Sequence, residues 1–133
     1  GIELYEAAFI SSSETNGENL FDNSFALSIK YSKNFSKKGV ADRSSKEIFK
    51  LNICNENELR EWHIWMLENL PEIKKNDVLT AIYLPETGMK LYHNDILIAV
   101  NDDTSFAKAF FSIWLSQDTS EPGLREKLIG IKK

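Results

Sequence analysis

An α+β domain, with an antiparallel sheet and helices packed on one of its faces, is the fold class that this 133-residue chain predicts. Three features carry the prediction. Two strand-like stretches precede a helical block, three short strands joined by tight turns follow it, and two helices close the chain.

Residues 2–10 are rich in β-branched, aromatic and small side chains, which favours a strand inside a sheet. The polar run Ser11 to Asn23 follows as a loop, with an Asn16-Gly17 turn signal and Leu20-Phe21 tucked back onto the body. Ser24 to Lys33 alternates Phe25, Leu27, Ile29 and Tyr31 with smaller or polar residues, the clearest period-two strand in the chain. One of its faces is buried and the other wet.

Ser36 is placed to cap a helix reaching about Asn52, with Val40, Ile48, Phe49 and Leu51 as apolar contacts. Gly39 and the Asp42-Arg43-Ser44-Ser45 cluster predict a break near residues 43–45. Asn55 or Asn57 caps the next helix, whose Leu59, Trp62, Met66 and Leu70 share one face. Pro71 and the Lys74-Lys75-Asn76 run close it. Strands are then expected over Asp77 to Leu84, Met89 to His93 and Ile96 to Val100. Pro85 to Gly88 makes the first turn, and Asn94-Asp95 suits a two-residue hairpin because both tolerate positive φ.

From Asp102 onward the order of parts is the most informative in the chain. Asp103, or Asp102 before it, caps a helix on which Phe106, Phe110, Ile113 and Trp114 recur at helical spacing. Ala107, Phe111 and Leu115 widen that stripe, so the helix is expected to be pressed on more than one side. Ser120 offers a cap for a last helix, with Glu121 and Pro122 in its first turn and Gly130 at its stop.

The length fits a single domain over residues 1–133 with a core of its own. A hydrophobic share of 42% beside 27% charged residues excludes a mainly disordered chain. The net charge of −4 argues against a nucleic-acid partner, and the lysines at 30, 33, 37 and 38 read as a solvated patch. Cys54 is the one cysteine, so no intrachain disulfide forms. No run reaches the roughly 20 apolar residues of a membrane span, and no signal peptide is recognised.

Individual motifs are weak. Leu84-Pro85-Glu86-Thr87-Gly88 spells a cell-wall sorting signal but lacks the following span and basic tail, so it reads as a turn. His63, His93 and Cys54 show no metal-ligand spacing, and neither a metal nor another cofactor is expected. His63 reads as the polar edge of its helix. Asn34-Phe35-Ser36 is a formal glycosylation sequon. Phosphate loops, nucleophile elbows and kinase signatures are absent from the sequence.

The segment SFAKAFFSIWLSQDTSEPGLREKLIG resembles the closing segment of chalcone isomerase-like domains, with Ser116 where that family often has Gly. The similarity extends back through DVLTAIYLPETGMKLYHNDILIAV and weakly to GIELYEAAFIS. The resemblance implies an open-faced sandwich and, for its catalytic members, an Arg, hydroxyl donors, a Lys and an Asn that stabilise charge moving from phenolate to enolate. Laid on this chain, Phe35 falls at the family's Tyr, Lys38 at its Lys, Asp42 at its Asn and Ser112 at its late hydroxyl. The family's Arg and first Thr precede the matched start, and Arg43, Arg60 and Arg125 do not fall at that position.

The resemblance therefore implies a non-catalytic bacterial protein holding a small apolar or fatty-acid-like ligand between sheet and helices, at Phe35, Lys38, Asp42 and Ser112. Export to the periplasm is expected from the same resemblance. An intramolecular lyase, or an interaction module with a filled interior, are the other readings.

Overall fold

A computed structural model describes residues 4–11, 15 and 17–129. Five strands form one antiparallel sheet in chain order: β1 (Tyr5–Ser11), β2 (Phe25–Tyr31), β3 (Val78–Leu84), β4 (Gly88–His93) and β5 (Ile96–Asn101). Two helices, α1 (Lys37–Leu51) and α2 (Glu56–Asn69), are inserted between β2 and β3. Two more, α3 (Thr104–Leu115) and α4 (Pro122–Ile129), follow β5. The predicted class and order of elements hold. The expected starts at Gly1 and Ile2, the Asn16 half of the loop turn and the Gly130 stop lie outside the described residues.

Alternation decides which face of the sheet is covered. Phe25, Leu27, Ile29 and Tyr31 of β2 are buried, as are Leu79, Ala81 and Tyr83 of β3 and Met89 and Leu91 of β4. The opposite face carries the row Ile10, Ala26, Ile82, Lys90 and Val100, matched strand to strand by the register. A one-residue slip would exchange the two faces, so the burial of β2 fixes its register. Between Leu91 and Tyr92 the β4–β5 pairing shifts register at a bulge.

Against the buried face lies α3, the most enclosed helix. Eight of its twelve residues are buried, from Phe106 to Leu115. Phe111 packs edge-on to Phe25 at 4.9 Å and Tyr83 at 5.8 Å between ring centroids, which binds α3 to the middle of the sheet. Phe106 meets Trp62 and Trp65 of α2 on its other side. Asp103 caps α3 through Ser105 and Phe106 N–H groups and also accepts from Trp62 Nε1 at 3.2 Å. One carboxylate thus fixes both the start of α3 and its place beside α2.

Local caps act as the sequence implies in three of four cases, Asp103 being the first. Ser36 accepts from Gly39 N–H at 2.9 Å at the start of α1, and Asn55 forms a reciprocal capping box with Glu58 on α2. The break expected near residues 43–45 is absent: α1 runs unbroken, because Ser44 and Ser45 are buried against neighbouring elements that hold the helix across them. Ser120 does not cap α4. Its hydroxyl turns to Glu47 at 2.7 Å, while Thr119 Oγ1 accepts from Glu121 N–H at 3.1 Å.

Candidate functional site

A hollow opens where the start of β1, the end of β2, the first half of α1 and the junction of α3 and α4 meet. Its walls are apolar: Leu4, Phe35, Val40 and Ile113, with the rings of Tyr5, Tyr31 and Trp114. The period-two pattern of β2 sends Tyr31 inward at its end. Tyr5 stands opposite Tyr31 in the β1–β2 register, with ring centroids 6.2 Å apart. Gly39, one turn above the cap of α1, leaves room at the mouth.

The hollow has a cavity volume of about 80 Å³. That is roughly half of the ~150 Å³ apolar cavity that takes up benzene.

Polar groups are few and placed on the walls. The Tyr5 hydroxyl accepts from Trp114 Nε1–H at 3.1 Å, which leaves its own proton free to donate. The Tyr31 hydroxyl has no hydrogen-bond partner among the described residues. Burial raises the pKa of both, outweighing for Tyr5 the opposing effect of the Trp114 bond, so both remain neutral donors at physiological pH. Arg43, exposed at the rim, makes no hydrogen bond or ion pair among the described residues. Five guanidinium donors are thus available beside an apolar hollow.

The same rim is also acidic. Glu47 and Glu121 both line it. Partial burial works against ionisation of Glu47, but bonds from Ser120 and Lys50 outweigh it and hold the carboxyl below its usual range. Arg43 and Glu47, four residues apart on one face of α1, put opposite charges at the same mouth, and the Arg43 charge is among the influences that lower the Glu47 pKa.

Of the residues singled out in the sequence, Phe35 is brought to the hollow as a wall. Lys38 and Asp42 point the other way around α1: Lys38 Nζ pairs with Asp42 at 2.5 Å, and Asp42 accepts a 2.7 Å bond with His63 of α2. Those two bonds, Lys38 first, lower the Asp42 pKa. Ser112 is half-buried on α3 and does not line the hollow. His63 is thus a link between helices as well as a polar edge. Arg43, set aside in the sequence because it lies off the strand position, reaches the mouth from a helix instead. The signal for it was present: Gly39, Arg43 and Glu47 recur every four residues and so share one face of α1.

No group of three His, Cys, Asp or Glu able to hold a metal occurs among the described residues. No helix among them is long and apolar enough to cross a membrane.

Comparison with known proteins agrees with the architecture. The crystal structure of a fatty-acid binding protein of Arabidopsis thaliana superposes with a TM-score of 0.67 at 8% identity, over 89% of this chain and 62% of that one. At that identity the likeness is one of fold. A Haemophilus influenzae protein described only as uncharacterized is 31% identical over 130 residues, 98% of this chain. The chain spans 62% of the length of that curated relative. A family profile described as chalcone isomerase-like matches residues 2–130, and the chain belongs to the chalcone isomerase-like family.

Proposed function

We propose that the chain binds, without transforming it, a small apolar molecule with an anionic end, held in the hollow between sheet and helices. The observation that carries this reading is Arg43, without a hydrogen bond or ion pair of its own among the described residues, at the mouth of an apolar hollow whose Tyr5 and Tyr31 hydroxyls are neutral donors. The apolar part lies against Phe35, Val40, Ile113 and Trp114, and the anion meets Arg43. A carboxylate suits this set because the guanidinium fork matches its two oxygens. The fold neighbour that is a fatty-acid binding protein supports a fatty-acid-like ligand, and the cavity volume of about 80 Å³ favours a short chain.

Native mass spectrometry of gently purified protein tests the reading, with thermal shifts measured on adding hexanoate. A co-purified acid, or a melting temperature that rises with hexanoate concentration, is the expected result. Neither signal would leave an interaction module with a filled interior.

An intramolecular lyase is the second reading, favoured by the same meeting of Arg43 with two tyrosine hydroxyls. It requires conversion of a chalcone well above the spontaneous rate, lost in Arg43→Gln.

A further inference from the structure

Two lysine-bearing connections far apart in sequence lie side by side in the fold. Reciprocal backbone bonds between Phe35 and Ile73, each 2.8 Å, and a bond from Lys75 N–H to Asn34 Oδ1 at 2.7 Å join the β2–α1 and α2–β3 connections. Lys33, Lys74 and Lys75 are consequently neighbours, all exposed, with Lys37 and Lys38 beginning α1 beside them. Arg43, Lys46 and Lys50 continue the strip along the exposed face of α1 at helical spacing.

These eight cations stand with five carboxylates, Asp42, Glu47, Glu72, Asp77 and Glu121, a local excess of three positive charges in a chain whose net charge is −4. At the far end of α1 stand two exposed apolar side chains, Phe49 at 68% and Ile53 at 50% of full accessibility. Gly39 and Arg43, at the mouth of the hollow, lie between the two ends of the strip.

We propose that this strip docks the protein on an anionic bilayer, with α1 along the headgroups and Phe49 and Ile53 entering the apolar boundary. A concentration of Lys and Arg on one helix face attracts anionic headgroups, and exposed aromatic or aliphatic side chains beside it add apolar burial. A nucleic-acid duplex would use the charge and leave Phe49 and Ile53 without a role. A bilayer uses both. The docking surface stands on charge and exposed apolar groups alone; only the passage of a ligand from bilayer to hollow rests on the preceding proposal.

Co-sedimentation with vesicles tests it, using phosphatidylcholine alone and phosphatidylcholine containing phosphatidylglycerol, at low and high salt. The wild-type chain is expected to bind the anionic vesicles only and to release at high salt. The triple change Lys33→Glu, Lys46→Glu and Lys75→Glu, at exposed positions, should abolish binding. Phe49→Ser should weaken it about fivefold while thermal melting stays unchanged. Equal binding to neutral vesicles, no binding to either, or undiminished binding by the triple variant would overturn the proposal. So would tighter binding to a single-stranded oligonucleotide than to anionic vesicles, whether or not Phe49→Ser weakens it. Vesicle binding is read without any ligand in the hollow, so failure here and failure of the hollow to bind hexanoate are separate results.

Discussion

Trp114 Nε1 donates to the Tyr5 hydroxyl across 3.1 Å, joining α3 to the edge strand β1 at the wall of the hollow. The bond orients both donors of the site, since a hydroxyl that accepts from the indole directs its proton elsewhere. Tyr5→Phe removes the acceptor and leaves the indole N–H facing the hollow. We expect a loss of about 1 kcal/mol in chemical denaturation and roughly tenfold weaker hexanoate binding by calorimetry.

Arg43→Gln should behave differently. The side chain is exposed and makes no hydrogen bond or ion pair among the described residues, and its attraction to Glu47 acts at the surface, so stability should change by less than ~0.5 kcal/mol. Loss of a charge-assisted contact should still weaken binding of an anion by about tenfold or more. Calorimetric titration of both variants separates a binding role from a folding role.

Asp77 gives a pH dependence whose sign is fixed. Its carboxylate accepts from Asn94 Nδ2, from Lys74 N–H and shares a 2.8 Å bond with His93, and these bonds lower its pKa from 3.8 to about 2. A depressed folded-state pKa adds stability above the unfolded value and loses it as pH falls through the folded one. Wild type should therefore exceed Asp77→Asn in stability above pH 4, and the gap should shrink between pH 4 and about 2. Urea denaturation of the two proteins across that range measures it.

Gly88 allows little change. It sits at φ +130°, and a Cβ there would come within 2.0 Å of the Asn101 carbonyl oxygen and 2.9 Å of Asp102 Cα. Both neighbours are backbone and cannot turn aside. Gly88→Ala should cost at least ~2 kcal/mol by chemical denaturation, through displacement of the β5–α3 junction.

How much of this was legible beforehand follows from what kind of information each part needs. Alternation in β2 and the aromatic spacing of α3 are local patterns, and both were readable because a buried face must repeat with the element's own period. The continuity of α1 was not readable, since the burial of Ser44 and Ser45 comes from elements elsewhere in the chain. The same holds for Ser120, whose capping role gives way to a bond with Glu47, 73 positions away. Around the hollow, Phe35 had been named through family likeness and forms one wall, whereas Tyr5, Tyr31 and Trp114 become neighbours only through strand pairing and helix docking. Arg43 was weighed only against a strand position, whereas it reaches the mouth of the hollow from α1.

The most direct measurement is a titration of ¹⁵N-labelled protein with hexanoate, following the three indole N–H resonances by NMR. Trp114 lines the hollow, while Trp62 and Trp65 pack against Phe106 at the other end of α3. The Trp114 resonance should move progressively to saturation with the other two fixed, and Arg43→Gln should shift that titration to higher concentration. A Trp114 resonance that stays in place, or three that drift together, would contradict a ligand site in this hollow.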